Sequence, residues 1–188
     1  MDYIYHFPNT KELVLEDISF RKTESFITTL GQVISLQNLT KLILKSDRYS
    51  FEKLVELLSF TSNLDTLKIQ SIGGEDLQKI QNSETFRLVS STNRIKNLIV
   101  KQLSGIEKVE LLFALCPRLE QLTIEDRWAR VEDLLRLLTS KTNRHMFLLC
   151  FTNENMRLPD KLATLIREVK LFKNYFIKSE YPKIYLWW

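Results

Sequence analysis

The residues able to do chemistry in this 188-residue chain are few and scattered. Histidine occurs at His6 and His145, cysteine at Cys116 and Cys150. A general base or an activated nucleophile needs a partner that orients it and sets its proton affinity. His6 has no evident partner, and His145 falls where a repeated phrase expects an apolar residue. Cys116, just before Pro117 at a turn, reads as a packing residue. No Cys/His set has zinc-site spacing. Gly73-Gly74-Glu75-Asp76 lacks the spacing and the lysine of a phosphate loop. The acidic pairs Glu75-Asp76 and Glu132-Asp133 fall at helix starts, where carboxylates favour the positive end of the dipole. Arg127-Trp128-Ala129-Arg130 has the composition to stack on a base or a partner, but its place between a strand and a helix suits a loop. These residues assemble no acid, base and nucleophile set. The expectation is a protein that is not an enzyme, with no catalytic, metal or cofactor site, whose chemistry is recognition.

The elements that position such a surface announce themselves by repetition. A nine-residue phrase returns as FPNTKELVL (7–15), LQNLTKLIL (36–44), TSNLDTLKI (61–69), TNRIKNLIV (92–100), CPRLEQLTI (116–124) and, degraded, TNRHMFLLC (142–150). Its central apolar anchors are Leu13, Leu42, Leu67, Leu98, Leu122 and Leu148, spaced by 29, 25, 31, 24 and 26 residues. Apolar and polar residues alternate in Thr66-Leu67-Lys68-Ile69 and Gln121-Leu122-Thr123-Ile124, the pattern of a short strand with one buried face. Between phrases the period becomes helical. Helices are expected over 25–36, 50–60, 75–89 with a break near Asn82-Ser83, 105–115 and 131–138. Ser104-Gly105-Ile106-Glu107 matches a capping box. One such strand–helix unit cannot bury its apolar face alone, so the period predicts an α/β solenoid in which stacked units share a core.

The tail departs from this pattern. Pro159 opens an expected helix carrying Leu162, Leu165, Ile166, Val169 and Phe172, and the chain ends in Tyr181-Pro182-Lys183-Ile184-Tyr185-Leu186-Trp187-Trp188. The expected division is therefore repeats over 1–150 and a helical, aromatic cap over 151–188. At the other end Met1 lies twelve residues before the first anchor, so Tyr3, Ile4 and Tyr5 either cap the stack or follow a missing upstream unit.

The phrases resemble leucine-rich repeats over about residues 7–150. The variable spacing and full helices are similar to the intracellular classes, and Cys116-Pro117-x-Leu119-x-x-Leu122-x-Ile124 looks like the repeats of F-box leucine-rich-repeat proteins. That resemblance implies a horseshoe with parallel strands on its concave face and helices on its convex face. It also implies a non-catalytic protein-binding module, the substrate-recognition part of an F-box-like ubiquitin-ligase receptor. These 188 residues contain no convincing F-box motif; the nearest text, Leu158-Pro159-Asp160-Lys161-Leu162, lies after the repeats and not before them. Of the turn positions where the family places Asn or Cys, which here hold Ile18, Asp47, Ile72, Leu103, Arg127 and Asn153, only the last matches.

In such a horseshoe the residues flanking each buried anchor point into the concave face. The candidate partner-binding residues are Glu12, Glu16, Lys41, Lys45, Lys68, Gln70, Asn97, Lys101, Gln121, Thr123, Phe147 and Phe151. They place lysines at the centre, glutamates at one end and apolar side chains at the other. This suits a protein with an acidic middle and an apolar anchor, although a plain solvated sheet face has the same composition and the tail helix is an alternative cover for Phe147 and Phe151. A net charge of +4 and a pI near 9.0 leave an RNA-associated repeat protein as an alternative, alongside a generic scaffold or inhibitor. The chain shows no secretory signal and no apolar run of the roughly 20 residues a membrane span needs. The expectation is an intracellular monomer, cytoplasmic or nuclear, with two reduced cysteines and no membrane contact.

Overall fold

The computed structural model describes residues 6–16, 23–46, 49–73, 76–102, 105–126, 131–140, 145–152, 158–169, 172 and 174–188. Strands and helices alternate along most of the chain. The order is β1 (Glu12–Leu15), α1 (Thr23–Val33), β2 (Lys41–Leu44), α2 (Phe51–Leu58), β3 (Thr66–Ile69), α3 (Leu77–Gln81), α4 (Glu84–Thr92), β4 (Asn97–Val100), α5 (Ile106–Leu115), β5 (Gln121–Ile124), α6 (Val131–Ser140), β6 (Leu148–Thr152), α7 (Leu158–Val169), β7 (Phe176–Glu180) and β8 (Lys183–Trp187). All eight strands form one sheet in the order β1-β2-β3-β4-β5-β6-β8-β7. The first six are parallel and unstaggered, with Leu13, Leu42, Leu67, Leu98 and Leu122 in one row. The architecture is α/β with a mostly parallel sheet.

The starts of α2 to α5 have local reasons. The Ser50 hydroxyl accepts from the Lys53 N–H at 3.3 Å and opens α2. The Asp76 carboxylate accepts from Lys79 N–H at 2.9 Å and opens α3. Ser83 breaks the third helical segment where expected, its hydroxyl accepting from Phe86 N–H at 3.2 Å to start α4. Such caps satisfy N–H groups that have no partner within the helix. The expected capping box needs Ser104, which lies outside the described residues. The residue before α5 is Gly105, held at φ 135°, a conformation costly for any residue with a Cβ.

The core lies between the helices and one face of the sheet. Leu42, Leu67, Leu98, Leu122 and their i+2 neighbours Leu44, Ile69, Val100 and Ile124 are buried against Phe51, Leu54, Leu57, Phe86, Val109, Leu112 and Leu134 in one continuous cluster. The residues between them on each strand remain half-exposed. Parallel sheets are usually covered on both faces, so a parallel sheet with strict in–out alternation has one face left open. Successive units are also pinned edge to edge. Asn38 Nδ2 donates to Pro8 O and Asn63 Nδ2 to Gln37 O, each at 2.9 Å, one unit reaching back to the previous one. Asn93 is buried and satisfied: Nδ2 donates to Val89 O at 2.8 Å and to Leu115 O at 2.6 Å, while Oδ1 accepts from Ile95 N–H at 3.2 Å.

Two expectations change. In the sixth unit the register is one residue later than the phrase TNRHMFLLC implies. Phe147 N–H and Leu148 N–H both donate to Glu120 O, as Glu120 and Gln121 donate to Lys96 O one unit earlier, so Leu148 pairs with Gln121 and Leu149 with Leu122. Met146, Leu149 and Phe151 take the three buried places, whereas His145 is exposed and Leu148 half-exposed. The anchor is Leu149, not Leu148, because only that frame puts three large apolar side chains on the core face. The second change is the tail. Beyond α7 the chain forms a hairpin, β7–β8, whose second strand pairs antiparallel with β6 in the register Leu149↔Leu186 and Phe151↔Ile184. Ile184 and Leu186 are buried in the same core cluster, so the aromatic end continues the sheet as well as closing it.

Candidate binding face

The open face of the sheet carries three outward rows. Running across the strands, one row is Glu12, Lys41, Thr66, Asn97, Gln121, Leu148, Trp187 and Phe176. The middle row is Val14, Ile43, Lys68, Ile99, Thr123, Cys150, Tyr185 and Lys178. The third follows the strand ends as Glu16, Lys45, Gln70, Lys101, Glu125, Thr152, Lys183 and Glu180. Ten of the twelve residues expected to line this face, from Glu12 to Thr123, do lie on it together. Phe147 precedes β6 and is 43% exposed at the margin of the same face, and Phe151 is the exception: it is buried in the core under the corrected register.

The central lysines are not a free positive field. Lys41 pairs with Glu12 at 3.0 Å across the β1–β2 step, and Lys45 pairs with Glu16 in the same way. Lys68 reaches past β4 to Glu125 at 3.0 Å, with both side chains about three-quarters covered. Exposed pairs of this kind contribute little stability, about 0 to 1 kcal/mol each, but they fix the charge pattern. Lys101 has no carboxylate partner among the described residues. With Ile43, Lys45, Lys68 and Gln70 it lines a hollow of about 170 Å³. At the rim the Asp65 carboxylate accepts from Thr66 Oγ1 at 3.1 Å and from Asn97 Nδ2 at 2.9 Å, which orients both outward polar groups.

At the hairpin end the face changes character. Phe147, Leu148, Tyr185 and Trp187, with Lys178 and Glu180 at the rim, enclose a groove of about 370 Å³. Phe176 stacks on Trp187 with ring centroids 6.2 Å apart, and Trp188 stacks on Phe172 at 4.3 Å. Lys178 pairs with Glu180 at 2.5 Å, and that carboxylate raises the lysine pKa. Tyr185 and Trp187 are site residues that the repeat phrases do not reach, and Leu148 joins them on the face only under the corrected register. The signal for the two aromatics was present in Lys183-Ile184-Tyr185-Leu186-Trp187, which alternates polar or aromatic with aliphatic residues at period two.

The cysteines are not poised for chemistry. Cys116 is fully buried, and burial pushes its thiol up to about 12. Cys150 sits on the middle row between Thr123 and Tyr185. Burial also raises its pKa, outweighing the nearby Lys183 ammonium and the Thr123 hydrogen bond. A nucleophilic thiol needs the opposite shift. Among the described residues no three His, Cys, Asp or Glu side chains stand close enough to hold a metal ion, and no helix is long and apolar enough to cross a membrane. The Arg127-Trp128-Ala129-Arg130 cluster lies outside the described residues, as do the turn positions Ile18, Asp47, Leu103, Arg127 and Asn153. Ile72, the described member of that turn series, is buried. Comparison with protein-family models yields no match, and comparison with curated proteins yields none either.

Proposed function

We propose that this chain is a leucine-rich-repeat solenoid whose open, concave sheet face binds a protein partner without catalysis. The observation that carries this reading is the one-sided parallel sheet: from β1 to β5 the outward residues align into continuous rows that stay half-exposed or exposed among the described residues. A contiguous surface of paired charges with an apolar groove at one end suits a protein interface, where an apolar centre is ringed by polar groups. The horseshoe form is part of this proposal; the 24–31-residue period and the sequential strand order support it, because a helix layer wider than the strand layer would curve the stack. The F-box-like role, target recognition for a ubiquitin ligase, rests on the phrase Cys116-Pro117-x-Leu119-x-x-Leu122 alone and is a narrower form of the same proposal.

The test is affinity capture from cell extract with three proteins: wild type, Gln121→Arg/Thr123→Arg on the open face, and Gln78→Arg/Arg87→Glu on the exposed helix side. Each captured protein is then purified and its binary affinity measured. The expected result is a partner whose binding is lost only with the open-face variant. Loss only with the helix-side variant would overturn the assignment of the face, and ligase subunits among the partners would support the narrower role.

A further inference from the structure

The three outward rows allow a charge account of the open face. They carry Lys41, Lys45, Lys68, Lys101, Lys178 and Lys183 against Glu12, Glu16, Glu125 and Glu180. Four lysines are consumed in pairs: Lys41 with Glu12, Lys45 with Glu16, Lys68 with Glu125 and Lys178 with Glu180. Lys101 and Lys183 remain without a carboxylate among the described residues. They occupy the same row, one just after β4 and the other on β8, with β5 and β6 between them. Three inter-strand steps separate them by about 14 Å, the reach of roughly four residues of extended chain. Lys183 also leads along β8 into the apolar groove, because Lys183, Tyr185 and Trp187 alternate onto the same face.

We propose that the segment bound on this face is an acidic stretch of a partner protein carrying one aromatic or large aliphatic side chain. Its carboxylates are taken by Lys101 and Lys183, and its apolar side chain is taken by the groove between Leu148, Tyr185 and Trp187. This rests on the open face being the binding surface. The charge complementarity is specific: any other anion-binding lysine on the face is already neutralised, and the groove adjoins one of the two that are not. A nucleic-acid backbone fits less well. Tight phosphate binding draws on many cations, about 6–10 contacts in strong binders, whereas among the described residues of the three rows two lysines lack a carboxylate and Glu12, Glu16 and Glu125 repel phosphate.

Three labelled probes of equal length test this by fluorescence anisotropy: poly-glutamate, a random glutamate–tyrosine copolymer, and oligouridylate. The copolymer is expected to bind about tenfold tighter than poly-glutamate, since its tyrosines fill the groove. Lys101→Glu/Lys183→Glu is expected to weaken the copolymer at least about tenfold, while Lys79→Glu on the helix side leaves it unchanged. Leu148→Ser, at a half-exposed position, removes the groove wall without touching the core and is expected to erase the advantage of the copolymer over poly-glutamate. Melting curves establish that each variant is folded. Equal binding of copolymer and poly-glutamate, or indifference to the lysine reversal, would overturn the inference. Tighter binding of oligouridylate, abolished by the same reversal, would overturn both this inference and the protein-binding function. If no polymer binds while the capture experiment still yields an open-face partner, the acidic segment alone is wrong.

Discussion

Between β1 and β5 the open face mixes short polar side chains, lysine–glutamate pairs and the aliphatic Val14, Ile43 and Ile99, with no aromatic residue on its rows, and the strands beneath it are parallel. Between β6 and β7 the face is aromatic and the strands are antiparallel. Both regions bury their alternate residues in one core: Leu98 and Leu122 in the first, Leu149, Ile184 and Leu186 in the second. The difference lies in how each region treats what it leaves outside. A repeating unit can extend a parallel sheet indefinitely, and most of its outward lysines are paired with a glutamate one or two units away. The hairpin stops the repetition. Its second strand reverses direction against β6, and its first, β7, forms the sheet edge, where Lys178 and Glu180 place charge beside Phe176. Charged residues on an edge strand discourage pairing with further chains. The two regions teach that continuity of the core does not require continuity of the surface.

The comparison breaks first if the hairpin is not part of the core. Leu67→Asp or Leu98→Asp places an unpaired charge in the fully buried layer and is expected to cost several kcal/mol, unfolding the domain or its neighbouring units. Leu186→Asp is expected to do the same, since that side chain is equally buried. Thermal melting decides it: a wild-type-like melt for Leu186→Asp beside a collapsed Leu98→Asp would detach the hairpin from the core. The next effect in size concerns the lateral ties that only the parallel part has. Asn93→Ala orphans the Leu115 carbonyl and the Ile95 N–H and is expected to cost about 1–3 kcal/mol by urea unfolding.

Alkaline pH gives a smaller, graded effect. Burial raises the Cys116 pKa from an ordinary 9.0 to about 12, and it raises that of Tyr49 as well, with Glu56 adding to the shift. The folded state therefore holds these protons longer than the unfolded chain does. The stability the Cys116 thiol contributes is complete below about pH 9 and is lost as pH rises towards 12, while the Tyr49 contribution begins to decline only above its ordinary 10.0. Cys116→Ala should flatten that decline in denaturation curves between those limits. A decline of unchanged slope would mean the thiol is not shielded as described. The smallest effect belongs to the surface pairs. Glu12→Gln removes the partner of Lys41, about half-exposed, and should change the melt by less than about 1 kcal/mol.

Much of this architecture was legible in the residues. Strands two to five announced themselves because a period of two is bounded by turn residues and followed by a period near 3.6. The break at Asn82-Ser83 was legible because Ser83 is a capping residue. The sixth frame was not: in His145-Met146-Phe147-Leu148-Leu149-Cys150-Phe151 every residue after the histidine is apolar, so hydrophobicity alone cannot choose between two frames one residue apart. The choice is made by the ladder to Glu120 and by β8 on the far side, which are tertiary facts. The tail was read only in part. Its aromatic density suggested a cap, and its pairing as a hairpin onto β6 was not foreseen, although Lys183 to Trp187 alternates as cleanly as any repeat. The lysine rows were placed correctly, but their pairing was not foreseen, because Lys68–Glu125 joins residues 57 apart in sequence.

The most direct test of the central claim is a photo-crosslinking scan with p-benzoylphenylalanine, one position per variant, against the partner isolated by capture. Thr66, Gln121 and Leu148 sample the open face; Gln78, Arg87 and Arg136 sample exposed positions on the helix side. The account predicts crosslinks from the first three, most intense at Leu148 beside the aromatic groove, and none from the last three. Crosslinks confined to the helix positions would contradict it.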